Sequence, residues 1–149
     1  MFIYRNGRFF VGATSFALPH ECVIDTLMPV DTHNGLIIKP IHQEFEISID
    51  FSPDSLGAFG GLSNLVKGWS TPVDIVREEY ACGVGWSICY ENHGGVYHDL
   101  RFDISEPFPD EEGRLLQTCE LLTYVKSEEA IRSVIKSGFF MELVSSLEL

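Results

Sequence analysis

The stretch from Cys82 to Ile104, CGVGWSICYENHGGVYHDLRFDI, constrains the fold more than any other part of this sequence. Val84, Trp86, Ile88 and Tyr90 alternate with Gly83, Gly85, Ser87 and Cys89, and Val96, His98, Leu100, Phe102 and Ile104 alternate with Tyr97, Asp99, Arg101 and Asp103. A period of two is the pattern of a strand with one buried face, and two such runs around Asn-His-Gly-Gly predict a β-hairpin in the middle of a sheet. Loop length then sets the register, because a slip of one residue moves every side chain to the other face. A three-residue loop, Asn92-His93-Gly94, pairs Tyr90 with Val96, Ile88 with His98, Trp86 with Leu100 and Val84 with Phe102. Gly94 takes the left-handed last position of such a loop without steric cost.

This register bears on every chemical reading of the stretch. Cys82, Cys89, His93 and His98 have the spacing C-x6-C-x3-H-x4-H, which is not that of a zinc knuckle. The register also sends Cys82 and Cys89 to opposite faces, so neither a metal site nor a cofactor is expected. Gly85-Trp86-Ser87-Ile88-Cys89 is half of a nucleophile elbow, but its second glycine is missing and it lies mid-strand. His98 falls on the face opposite Cys89, which argues against a Cys–His nucleophile. Gly83, Gly85, Ser87 and Cys89 form a small-residue groove suited to a closely packed helix. Gly57-Ala58-Phe59-Gly60-Gly61 lacks the lysine of a phosphate-binding loop and is expected to be a permissive turn.

The 149 residues, 45% hydrophobic and 21% charged, fit one globular domain over residues 1–149. A net charge of −12 argues against nucleic-acid binding, which needs basic patches, and favours a basic protein partner if there is one. MFIYRNGRFF has no apolar signal region, and no run is long enough to span a membrane. A cytoplasmic protein with reduced thiols at Cys22, Cys82, Cys89 and Cys119 is expected.

Along the chain, Asn6-Gly7 predicts a hairpin of strands over 2–5 and 8–12. Val23 to Val30 forms a strand or irregular edge, and Asn34-Gly35 a second turn. Ile41 to Phe51 alternates apolar and polar residues and predicts a strand. Ser52-Pro53-Asp54 predicts a helix start, with Phe59, Leu62, Val66 and Trp69 on its apolar side and Thr71-Pro72 closing it. Ile75 to Tyr80 leads into the central hairpin. Ser105 to Gly113 is an acidic, proline-containing loop, in which Asp110, Glu111 and Glu112 are the candidate partner-binding residues. Leu115 to Val125 is a strand with apolar residues on both faces, so both sides of the sheet are at least partly covered. Ser127-Glu128-Glu129 opens a helix. A break at Ser137-Gly138, with Gly138 as a left-handed cap, yields two short helices rather than one.

Two segments carry a resemblance. Phe16-Ala17-Leu18-Pro19, after a hydrophobic strand pair, looks like the entry motif of PsbP-like and DcrB-like proteins. The closing strand, the Ser127-Glu128-Glu129 helix and Phe139-Phe140 through Val144-Ser145-Ser146-Leu147 resemble the end of those domains. The resemblance implies an α+β fold, an α-β-α sandwich in which helices pack on an antiparallel sheet. It also implies a non-enzymatic binding or accessory role, and it carries over no catalytic residue.

The expected function is therefore a non-catalytic cytoplasmic binding or accessory domain. An immunity protein or chaperone docking a basic toxin or effector through Asp110 to Glu112 is the alternative. A small enzyme using Cys82 or Cys89 with a histidine is a third reading. Ligand identity and oligomeric state stay open.

Overall fold

The computed structural model describes residues 3–28, 35–54, 56, 66–67 and 73–149. The first hairpin forms as the sequence predicts. β1 (Ile3–Arg5) and β2 (Arg8–Val11) meet at Asn6-Gly7, both with positive φ, and β3 (Thr14–Phe16) completes a three-stranded sheet. The remaining strands make one seven-stranded antiparallel sheet. They are β4 (Cys22–Met28), β5 (Gly35–Pro40), β6 (Ile47–Ser52), β7 (Val73–Tyr80), β8 (Gly83–Asn92), β9 (Gly95–Pro109) and β10 (Leu115–Val125). Their spatial order is β4-β5-β6-β10-β9-β8-β7. Two short helices follow, α1 (Glu128–Ile135) and α2 (Gly138–Ser146).

This architecture corrects the expected fold class. More than half of the described residues lie in strands, so the chain is a β-rich, two-sheet fold and not an α+β sandwich of helices on a sheet. The apolar strand pair at the N-terminus makes, with β3, a sheet of its own. That sheet is tied to the C-terminus, where Ser15 and Glu148 exchange backbone hydrogen bonds of 2.9 and 2.8 Å. Arg8 adds a bond of 2.5 Å from Nη2 to the Ser146 carbonyl.

The main core lies between one face of the large sheet and a cover made of the small sheet and the helices. Ile47, Ile49, Phe51, Leu100, Phe102, Cys119 and Leu121 from the sheet meet Phe16, Phe140, Leu143 and Val144 there. The opposite face is also covered in part, as the two-faced pattern of β10 predicts: Leu56 and Val66 pack with Ile88, Trp86 and Tyr90.

Several boundaries differ from the sequence reading. The strand expected from Ile41 begins only at Ile47. Residues 41–46 form the β5–β6 turn, and Ile41 is 55% exposed. The loop expected from Ser105 is largely strand, since β9 continues to Pro109 opposite Leu115. Pro107 is tolerated because β8 pairs no further than Phe102, so the outer edge of β9 carries no ladder for it to break. The two-helix ending holds, but by a different cap. Ser137 is the N-cap of α2, its hydroxyl accepting from Phe140 N at 3.2 Å, and Gly138 is an ordinary first helical residue. The predicted helix beyond Asp54 and the turn at Asn34 lie outside the described residues, apart from isolated positions.

The central hairpin forms with a different register. Its loop is two residues long: His93 and Gly94, with φ of 51° and 76°, make the tight turn that closes Asn92 on Gly95. Positive φ at both central positions matches the right-handed twist of the strands. Trp86 therefore faces Arg101, Ile88 faces Asp99 and Cys89 faces His98. The pairings Trp86–Leu100 and Ile88–His98 do not occur.

Candidate functional site

The new register gathers Ser87, Cys89 and His98 on the helix-covered face. Ser87 Oγ lies 2.5 Å from His98 Nε2. Cys89 is the direct cross-strand partner of His98, not a residue of the opposite face. Burial holds the imidazole at a pKa of about 4, against a smaller upward pull from Glu78, so His98 is neutral at pH 7 and receives the serine proton in its hydrogen bond or donates its own. His98 is 2% exposed and its ring packs edge-on against Phe140 at 5.8 Å. Neither Ser87 nor His98 lines either of the two cavities beside the end of β8 and the start of α1. A serine–imidazole contact is the first element of a nucleophile, but a substrate must also reach it. The small-residue groove on this face is filled from its own sheet: a methyl at Gly85 would stand 2.8 Å from both Phe102 and Tyr80.

The environment of each cysteine disfavours the thiolate. Cys89 is raised by burial and then by Glu128 and Asp74. Cys82 is raised by burial, and Cys22 by burial and Glu142. Cys119 is fully buried and also raised. Cys82 sits in the β7–β8 turn and packs against the main core, on the same side of the sheet as Cys89, so the expected opposition of these two is also corrected. Among the described residues, no three His, Cys, Asp or Glu side chains converge as a metal site.

On the other face lies a buried charged triad. Arg101 Nε donates to Asp99 Oδ2 at 2.9 Å, and Arg101 Nη2 is 3.2 Å from Glu120 Oε1. Arg101 and Glu120 are cross-strand partners of β9 and β10. Asp99 is 1% exposed. Burial, then Glu120, pushes its pKa well up, against the pull of Arg101. One guanidinium faces two carboxylates in a dry setting, so the aspartate holds a proton far more readily than usual. Tyr90 stacks on Tyr97 at 5.2 Å beside the triad, and its hydroxyl is pushed up to about 12 by burial and by Asp99 and Glu120. The arrangement bolts β9 to β10 in register.

The open chemistry is at the margin formed by β7, the end of β8 and the start of α1. A cavity of about 200 Å³ is lined there by Asp74, Cys89, Tyr90, Glu91, Val96 and Glu128. Its lining joins Cys89, Tyr90 and Val96 to three carboxylates. Glu128 is paired with Arg132 at 3.2 Å. Among the described residues, neither Asp74 nor Glu91 has an ion-pair partner. Along β7, Asp74 to Glu79 are all exposed, and Asp74 and Glu78 lie on the same face as the cavity. The cavity was not visible in the sequence, because Asp74, Glu91 and Glu128 come from three separate elements.

The candidate residues Asp110, Glu111 and Glu112 lie together at the β9–β10 turn. Asp110 is occupied within the turn itself. Its Oδ1 accepts from the backbone of Glu112 and Arg114 at 2.9 and 2.8 Å, and its Oδ2 is 2.7 Å from Arg114 Nη2. Burial tends to raise the Asp110 carboxyl, but these hydrogen bonds outweigh it and hold the group low. Glu112 stands 3.5 Å from the same arginine, while Glu111 is exposed.

Comparison of the chain with family models, with curated proteins and with solved structures gives no match.

Proposed function

We propose that this chain is a non-catalytic binding domain that takes a basic protein partner at the acidic margin of β7, β8 and α1. The observation that carries the reading is the cavity lined by Asp74, Glu91 and Glu128 at the end of an exposed acidic strand, on a chain of charge −12. Three carboxylates beside Tyr90 and Val96 suit the ammonium or guanidinium of a side chain with an aliphatic stem. The non-catalytic half of the reading is supported by the seclusion of His98 under Phe140 and by the raised thiols.

An immunity protein or chaperone for a basic toxin or effector is one form of this reading, with the docking surface moved from the turn at Asp110 to the β7 margin. Four free cysteines fit the reducing cytoplasm.

Binding of a labelled lysine-rich peptide, measured at increasing ionic strength, tests the proposal. The reading expects affinity that falls with salt and is lost in the Asp74→Lys/Glu91→Lys variant. Binding untouched by that variant would contradict the site. Turnover of an activated ester that disappears in His98→Gln would contradict the non-catalytic assignment.

A further inference from the structure

β7 and β4 are the two edges of the large sheet, and they differ. β4 carries an irregularity between Ile24 and Thr26, a device that bends an edge away from further pairing. β7 pairs with β8 at every one of its eight residues without a bulge, and no described strand covers its outer side. Alternate edge residues therefore present their backbone N–H and C=O outward in a regular row, the template on which an extended chain adds as a further strand. Resting on the basic-partner reading above, we propose that the partner docks by strand addition along β7, through an extended segment bearing lysine or arginine at alternate positions.

The side chains choose among the possible occupants. Asp74 and Glu78 project on one face, two strand repeats apart, and Glu79 adds a third carboxylate on the other. An incoming strand with cations at alternate positions places them across from Asp74 and Glu78, where opposite charges in neighbouring strands attract. The Asp74 end of that row opens on the cavity with Glu91 and Glu128, which receives the last cationic head group. Val76 lies between the two carboxylates and is 50% exposed, so the new strand also covers apolar surface. A second copy of this chain is a poorer occupant. Antiparallel self-pairing of β7 brings together residues of the same face, so centred on Val76 it sets Asp74 opposite Glu78 and centred on Arg77 it sets Arg77 opposite itself, and like charges directly opposed are destabilising. An acidic edge thus stays closed to itself and open to a basic strand.

The test uses an eight-residue peptide alternating lysine with threonine, matched in length to β7. Two further peptides carry the same charge with backbone N-methyl groups on either the odd or the even residues. Strand addition predicts that the parent binds and that one N-methylated isomer, whose methyl groups enter the ladder, binds at least about tenfold more weakly. The other isomer binds as the parent does, and Asp74→Lys/Glu78→Lys weakens the parent. Equal binding by both isomers, or binding indifferent to the double variant, overturns strand addition on β7 but leaves the basic-partner reading standing. Absence of parent binding at low salt overturns both. A chain that sediments as a dimer and is dissociated by the parent peptide assigns the edge to a second copy and overturns the choice of partner.

Discussion

Ser87 on β8 and His98 on β9 lie diagonally across the ladder with Oγ 2.5 Å from Nε2, the imidazole buried against Phe140 and the serine half-buried. The pair forms a hydrogen bond within a packed face. Burial of the imidazole makes His98 a determinant of stability.

Acidification should therefore unfold the protein through His98. The imidazole titrates at about 4 when folded against an ordinary value of 6.5, so the unfolded chain binds the extra proton between these values. Stability is full above pH 6.5, declines as pH falls toward 4 and levels off below it. The loss from this group is about 3 kcal/mol at most. Urea denaturation across this range measures it, and His98→Gln should flatten the His98 component of the profile.

Asp99 works in the opposite sense. Its folded value is raised, so protonation favours the folded state and stability from this group grows as pH falls through that value. Asp99→Asn should cost less than about 1 kcal/mol at neutral pH, because an amide keeps an acceptor for Arg101 and removes a buried charge. Arg101→Met leaves two buried carboxylates without their cation and should cost about 3–5 kcal/mol. Equal losses in the two variants, measured by denaturant titration, would refute the assignment.

Gly85→Ala tests the packing of the small-residue face. The added methyl meets Phe102, Tyr80 and Leu100 at 2.8 to 3.0 Å, so it should destabilise by about 1–3 kcal/mol. A groove open to an external helix or ligand would tolerate the same change without loss.

At the β9–β10 turn, Asp110→Ala should lower the melting temperature, since the carboxylate accepts from two backbone amides and from Arg114. Glu111→Ala should leave it unchanged. Equal effects of the two would return Asp110 to the status of a free surface charge.

These particulars explain which features the sequence disclosed. The Asn6-Gly7 turn was legible because that dipeptide admits one tight loop. The Ser127 cap was legible because its hydroxyl bonds within the same turn, to Ala130. The Cys82–Ile104 register was not. Asn92-His93-Gly94-Gly95 accommodates two loop lengths, and parity decides between them only if one face is dry. Here both faces are covered: Trp86, Ile88 and Tyr90 pack under Leu56 and Val66, while Gly85 lies against Phe102. The apolar run was therefore sound evidence for burial and no evidence for side. From that inversion followed the misplacement of His98 relative to Cys89. The fold class failed for a related reason. Strand-by-strand alternation carries no signal that β1 to β3 form a separate sheet, a fact decided by the distant pairing of Ser15 with Glu148.

The most direct test of strand addition at the acidic margin is amide hydrogen exchange of β7 with and without the lysine–threonine peptide. The account predicts that alternate amides between Asp74 and Glu79, those pointing away from β8, become protected on binding while the β4 amides do not change. Peptide binding with β7 exchange unaltered would contradict it.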